Sequence, residues 1–361
     1  MKQRWTEQQI WDWYNSRPWI TGCNFIPHNI INSVELWQEF EHEEVMKGVK
    51  RDIELAADLG LNSFRMGLPP MFVWEHQHDG LMQRYEDFLT LLDKYNITLM
   101  PLFSGDCLLP KGVKRPEPYF GKQPEPVKGH FGGSAITPFD GTEQVGYHPV
   151  ADEPDKWGKF DEYVMDFVER YKNDDRIIMW NIFNEAGNSH RGMMSYPFIK
   201  HLFELLREAD VKQPLTADVY GSDKELRYEY QTDLSYLAPI EEAVTELSDI
   251  VSFHYYGDYI HTRQFIRTLR KFNRPIINDE WLHRPYRSII QTHLPLFKKE
   301  NVGSYFFGFV NGKTQHDQVW DMMRGFKEVD TSLWMHDIFH ADGTPYDPEE
   351  IEVLKQVNFS K

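Results

Sequence analysis

The sequence predicts an α/β protein, a (β/α)8 TIM barrel with a short N-terminal helix and a long loop after strand 3. Two observations predict it. Eight short apolar, β-branched or aromatic runs recur along the 361 residues, and nearly every one is followed by a stretch of helical period. The runs are continuously apolar rather than strictly alternating, as in a parallel sheet covered on its outer face. A closed barrel accounts for eight such units more simply than an open doubly wound sheet. That alternative would also want a Gly-rich turn after an early strand, where this chain has GCNFIPHN.

The strands begin near Trp19 (WITGCNFIP), Leu61 (LNSFRMGL), Ile97 (ITLMPLFSG) and Ile177 (IIMWNIFNE). Four more begin near Leu215 (LTADVY), Ile250 (IVSFHYYG), Pro275 (PIINDEW) and Val302 (VGSYFFGFV). Between them, EEVMKGVKRDIELAADLG closes at Gly60 and QRYEDFLTLLDKYN at Asn96, residue types that reach left-handed φ cheaply at a helix end. KWGKFDEYVMDFVERYKND, FIKHLFELLREAD, APIEEAVTELS, HTRQFIRTLRKFN and SIIQTHLPLFKKEN fill the next gaps. DPEE announces the last helix, with Asp347 as N-cap, Pro348 at the first helical position and Glu350 completing a capping box. Within residues 1–18, TEQQIWDWYN reads as a helix that plugs the barrel floor or packs on its side. No Pro/Ser/Gly linker divides the chain, so residues 1–361 read as one domain. The segment 105–153 follows the third strand and therefore sits at the C-terminal mouth, where barrel active sites lie.

Composition narrows the partners. A formal net charge of −17 argues against nucleic acid, whose phosphates need clustered Lys and Arg. Cys23 and Cys107 make neither a disulfide framework nor a metal-ligand cluster. Polar residues interrupt MKQRWTEQQIWDWYN where a signal peptide needs an apolar run, and no stretch has the apolar length of a membrane span. The expectation is a soluble cytoplasmic protein with no membrane partner. Aromatics reach 15%, which suits either a ring-rich core or a cleft that stacks flat sugar rings.

The chemistry lies at two strand ends. Strand four ends in WNIFNEAGN, with Asn184 and Glu185, and strand seven in INDEWLHRP, with Asp279, Glu280 and Trp281. Their spacing matches three βα repeats of roughly 30 residues each. In a barrel both ends point into one mouth, so two carboxyl groups can meet there: one gives a proton to a glycosidic oxygen and one attacks the anomeric carbon. A lone strand-end Glu is more often a surface or salt-bridged residue; two at the correct ends weaken that reading. Asp279 should point away from Glu280, since strand residues alternate faces, and reads as structural.

From about Trp19 to Gln356 the sequence resembles the clan A glycoside hydrolases, especially the cellulase-like family 5 and its relatives. The resemblance implies Glu185 as acid/base, protonated with a raised pKa, and Glu280 as nucleophile. It further implies that Asn184 bonds the sugar 2-hydroxyl and Arg65, in FRMGL, keeps the nucleophile ionised. In FHYYG, Tyr256 would bond the nucleophile and His254 lie near the acid/base. Arg65 as a barrel-layer salt bridge and His254 as a core histidine are the bland alternatives. The family's Trp after strand eight is missing from FFGFVNGKTQ, so Phe309, Trp320 or Trp281 would supply the sugar platform, with Asn311, Lys313 and Gln315 as polar contacts.

The expected activity is retaining hydrolysis of small β-linked glycosides or oligosaccharides, exo-acting, with a carbohydrate substrate and no cofactor. The alternatives are an endo-acting β-glycanase of cellulase or mannanase type and a non-catalytic carbohydrate-binding barrel. A metal-dependent barrel would want paired His after strand one, which offers only His28; His76 and His78 in WEHQHDG read as a solvated loop. A dehydrogenase or phosphate-using barrel would want a Gly-rich phosphate loop after strand seven or eight, and none is present.

Overall fold

The computed structural model describes residues 3–113, 116–133, 144–220, 234–320 and 330–360. Eight parallel strands close in sequence order, β1 pairing with both β2 and β8. They are β1 (Thr21–Asn24), β2 (Ser63–Gly67), β3 (Thr98–Leu102), β4 (Trp180–Phe183), β5 (Leu215–Val219), β6 (Val251–His254), β7 (Ile276–Trp281) and β8 (Val302–Phe307). The helix α1 (Glu7–Asn15) precedes them. Outside the barrel lie α2 (Ser33–Trp37), α3 (His42–Asp58), α4 (Met71–His76), α5 (His78–Lys94), α6 (Trp157–Tyr171) and α7 (Tyr196–Glu208). The ring is completed by α8 (Pro239–Leu247), α9 (Tyr259–Leu269), α10 (Ile290–Lys299) and α11 (Pro348–Phe359). No helix among the described residues is long and apolar enough to cross a membrane.

Two apolar layers hold this arrangement. The larger lies between the strands and the helix ring and includes Phe64, Phe88, Val164, Phe198, Phe253 and Phe297. The smaller is the floor: Ile10 and Tyr14 of α1 pack on Ile20, Met100, Met179, Ile250, Ile277 and Tyr305. The first helix therefore plugs the barrel rather than lying on its side. Its start is fixed by Thr6 and Gln9, whose side chains each take the other's backbone N–H. Inside the barrel, Tyr305 crosses to donate its hydroxyl to Ser63 Oγ at 2.8 Å. Gly22 leaves room for that ring, since a Cβ there would stand 1.9 Å from Ser63 O and 2.8 Å from Tyr305.

Several local expectations change. Gly60 and Asn96 do end their helices with φ of 72° and 55°. Asp347 caps α11 through Glu349 N, but Glu350 completes no capping box: its buried carboxylate is held by Arg284 at 2.6 Å and 2.8 Å. A bidentate guanidinium outcompetes one backbone N–H for a buried carboxylate. The WEHQHDG segment is helical rather than a loop, His76 ending α4 and His78 opening α5. Of the 105–153 segment, residues 114–115 and 134–143 lie outside the described residues.

Candidate active site

Both strand ends that carry the acidic residues are irregular. Against β5, the register of β4 shifts between Asn181 and Phe183, and Glu185 just beyond takes a left-handed φ of 49°. Against β6, Phe253 pairs with Asn278 but His254 pairs with Glu280, so β7 carries one extra residue. A bulge re-aims the side chains that follow it. The expectation that Asp279 turns away from Glu280 is therefore corrected, because both carboxylates reach the Arg65 guanidinium.

Arg65 organises the site. From β2 it donates Nη1 to Glu280 Oε1 and Asn24 Oδ1, both at 2.7 Å, and Nη2 to Asn184 Oδ1 at 2.6 Å and Asp218 Oδ2 at 2.7 Å. Its Nε lies 3.4 Å from Asp279 Oδ2. Tyr256 donates its hydroxyl to the other Glu280 oxygen at 2.7 Å, so both oxygens of Glu280 are held. Beneath them Asn181 donates to Asp218 and Asp279.

His254 links the acidic residues. Its Nδ1 lies 2.8 Å from Glu185 Oε1 and 3.6 Å from Glu280 Oε2; its Nε2 lies 3.3 Å from Asp218 and 3.5 Å from Asp279. Burial opposes the imidazolium, but the carboxylates of Glu280, Asp279 and Asp218 outweigh it and hold the His254 pKa well above its ordinary value. Burial likewise pushes Glu185 up, yet the hydrogen bond and charge of His254 win and pull it below the usual carboxylate range. Glu185 is thus not the raised-pKa acid that the sequence suggests, because the imidazole beside it outweighs burial. Burial and the adjacent Asp218 raise the Asp279 pKa well above its ordinary value, while Arg65 and His254 overcome burial and hold Asp218 low. Two triads, Glu185–His254–Glu280 and Asp218–His254–Asp279, have the spacing of metal ligands. Arg65 already brings a buried positive charge to both, which is the part a cation would play.

The other expected contacts divide. Trp281 is fully buried outside the barrel, its Nε1 bonded to Ser304 Oγ and its ring stacked on His293, so it offers no face to the mouth. The strand-end irregularity sends Glu280 inward and Trp281 outward. Phe309 is also buried, against Phe306 and Phe339. Asn311 spends its amide on Asp317 and Asp337, and Lys313 its ammonium on Glu35; neither reaches the carboxylates. Trp320 remains at the mouth, half-buried and perpendicular to Tyr256 with ring centroids 5.5 Å apart. Beside it stand His283 and His336, both buried; burial takes His283 down to about 3 and His336 well below its ordinary value, so these rings are neutral.

The loop after β3 crosses one side of the mouth. Gln123 accepts from Asn32, and Gly121 exchanges two hydrogen bonds with Gln38, over the β1 side. Farther on, Gln315 holds Gly129 N and Val127 O, Gly132 N bonds Thr314 O at 2.8 Å, and His130 donates to Gln318 O at 2.9 Å. Residues 127–133 are thereby strapped to the loop after β8. Residues that sequence reasoning passed over also sit here: Asn24, Asp218, Asn188 and Cys107. Asp218 had a signal, since it lies near the end of the LTADVY strand; Cys107 had none beyond its place just after strand three.

A family model described as glycosyl hydrolases family 2, TIM barrel domain, matches residues 128–343, a span that includes Glu185 and Glu280. No curated protein matches the sequence. Among solved structures, the endo-1,4-β-mannanase of Eisenia fetida superposes with a TM-score of 0.60 at 10% identity, over 96% of this chain and 92% of its own. The exo-β-1,4-mannosidase Op5Man5 of Opitutaceae bacterium strain TAV5 gives 0.58 at 12% identity, over 95% of this chain and 60% of its own. The family 5 mannosidase of Rhizomucor miehei gives 0.51 at 12%, over 94% and 92%. At such identities these neighbours share the fold. The chain is a clan A glycoside hydrolase and belongs to the family of the glycosyl hydrolases family 2 TIM-barrel domain.

Proposed function

We propose that the enzyme hydrolyses β-linked glycosides with retention of configuration, through a covalent glycosyl-enzyme on Glu280. One observation carries this reading: an oxygen of Glu185, an oxygen of Glu280 and a nitrogen of His254 all lie within 4.8 Å of one another. Retaining enzymes hold their carboxyl groups about 5–5.5 Å apart, whereas inverting enzymes leave roughly 6.5–9.5 Å for a water.

In the first step Glu280 attacks the anomeric carbon, the bond to the leaving oxygen breaks, and Glu185 gives that oxygen a proton. In the second, Glu185 takes a proton from water as the water oxygen attacks the same carbon, and the ester to Glu280 breaks. The proton for the first step is stored on the Glu185–His254 pair, 2.8 Å from nitrogen to oxygen, and passes to Glu185 when substrate displaces water. Arg65 and Tyr256 orient the attacking carboxylate, and Trp320 supplies the apolar face against which a sugar ring lies.

The strapped β3 loop favours exo action. A cleft closed on the β1–β8 side admits a chain end and a short oligosaccharide more readily than the middle of a polymer. Aryl β-glycosides of mannose, glucose, galactose, xylose and arabinose test the assignment, with NMR of the first-formed anomer. Release of the β-anomer first is expected. Release of the α-anomer first, or no hydrolysis of any member, would overturn the reading.

A further inference from the structure

We infer that Cys107 is a positioning residue for the acid/base: its thiol holds one oxygen of Glu185 so that the other alone carries the exchanging proton. The inference rests on the glycosidase reading above for its kinetic consequence, though not for the contact itself. Cys107 Sγ donates to Glu185 Oε2 at 2.7 Å, and the Asn188 amide donates both to Sγ, at 3.1 Å, and to the same carboxylate oxygen. Oε1 is left to His254. The two oxygens therefore have separate partners, one fixed and one exchanging.

The loop that presents the thiol is built rigidly. Gly105 bridges to Asn184 so closely that a Cβ would stand 2.6 Å from the Asn184 side chain. The next residue, Asp106, accepts from Gly187 N at 2.8 Å and from Arg191 Nε at 2.7 Å, in an ion pair with no exposed side-chain surface. This pair ties the β3 loop to the segment after Glu185 and leaves Cys107 facing the carboxylate. Burial first, and then the charge of Glu185, raise the thiol pKa well above its ordinary value, so the sulfur keeps its proton and donates it.

A thiol is a weak donor. It can hold an oxygen in place without stabilising the carboxylate as strongly as a hydroxyl would, which suits a group that must take up and release a proton. The groups facing Glu185 are Cys107 beyond β3, Asn188 beyond β4, His254 on β6 and Glu280 on β7, with Tyr220 beyond β5 close enough to feel its charge.

The test uses the full chain with Cys107→Ala and Cys107→Ser, and two readouts. Carbon-13 NMR of the Glu185 carboxyl, assigned with Glu185→Gln, gives its titration midpoint in the free protein. Aryl β-glycosides with poor and good leaving groups give kcat/KM, which reports the first step. In Cys107→Ala the midpoint should rise by about one pH unit. Its kcat/KM should fall about 10-fold to 100-fold for phenyl glycosides and far less for dinitrophenyl glycosides, which need little protonation. Cys107→Ser, whose hydroxyl is the stronger donor, should bring the midpoint back to the wild-type value or below it and recover most of kcat/KM. An unmoved midpoint, or equal losses on both leaving groups, would overturn the inference. A wild-type protein inactive on every glycoside whose midpoint still moves in Cys107→Ala would overturn the glycosidase reading and leave the positioning contact standing.

Discussion

His254 Nδ1 stands 2.8 Å from Glu185 Oε1, and on its other side the same ring faces Asp218 and Asp279. One proton on a buried pair is lost at a pH that belongs to the pair and not to either residue alone. Nearby carboxylates hold the His254 pKa well above its ordinary value, so the pair keeps its proton to higher pH than an isolated imidazole would. His254→Gln removes the imidazole and leaves the proton to a carboxyl alone, whose ordinary range lies below that of imidazole. The alkaline limb of kcat/KM should therefore move down in pH. A pH–rate profile checks the sign; an unchanged limb would show that His254 stores no proton for the reaction.

Arg65 is the cation that Glu280, Asp218 and Asp279 share, with the His254 ring as their other basic partner. Removing one partner of a buried ion network leaves uncompensated charge and costs about 3–5 kcal/mol. Arg65→Met should lower the unfolding free energy by that amount, read by urea denaturation at neutral pH. The loss should shrink on acidification. Asp218 is held below its unfolded pKa, so its stabilising contribution is present above the unfolded value and disappears as pH falls through the folded one. A variant equally destabilised at all pH values would contradict the network.

The barrel was legible because eight apolar runs and their helices repeat a simple physical alternation, and Gly60 and Asn96 mark helix ends by residue type. The meeting of Glu185 and Glu280 followed from topology alone: strands four and seven both end at the mouth. What the alternation rule missed arises from bulges. A shifted register at His254 and Glu280 brings Asp279 into the barrel beside Glu280, while Trp281 ends up outside it. The partners of Asn311 and Lys313 were not legible either, since nothing in the pattern points to Asp317, Asp337 or Glu35. The lowered pKa of Glu185 was not legible, because the imidazole that opposes burial comes from another strand.

Glu185 and Glu280 should respond differently to removal. Glu280→Ala eliminates the attacking group and should abolish turnover on every leaving group. Glu185→Ala should lose about 10²–10⁴-fold on poor leaving groups and much less on dinitrophenyl glycosides in the first step. Added azide should then restore turnover of Glu185→Ala as a β-glycosyl azide, because a small anion replaces the base in the second step. An α-glycosyl azide from that variant would exchange the two assignments.

The Trp320 and Tyr256 rings stand perpendicular with centroids 5.5 Å apart, which places the indole beside the ring whose hydroxyl holds Glu280. A sugar's apolar C–H face laid on the indole removes apolar surface of both from water, which contributes to binding. Trp320→Ala should lower kcat/KM up to about tenfold, mainly through KM, while Trp320→Phe should retain most of it. A kcat loss with KM unchanged would place Trp320 in the chemistry rather than in sugar binding.

Gln315 holds the β3 loop at two points, accepting from Gly129 N at 3.1 Å and donating to Val127 O at 3.1 Å. Replacing it by Ala removes both bonds and leaves Gly132 N on Thr314 O and His130 on Gln318 O to keep the strap down. If the strap is what closes the β1–β8 side of the cleft, loosening it opens that side to longer chains without touching Glu185 or Glu280. The wild-type protein should release single sugars from oligosaccharide ends. Gln315→Ala should raise the rate on long chains relative to short ones and begin to yield intermediate lengths, resolved by chromatography of early products. A ladder of intermediate lengths already present with the wild-type protein would mean that the strapped loop leaves the cleft open and the enzyme cuts internally.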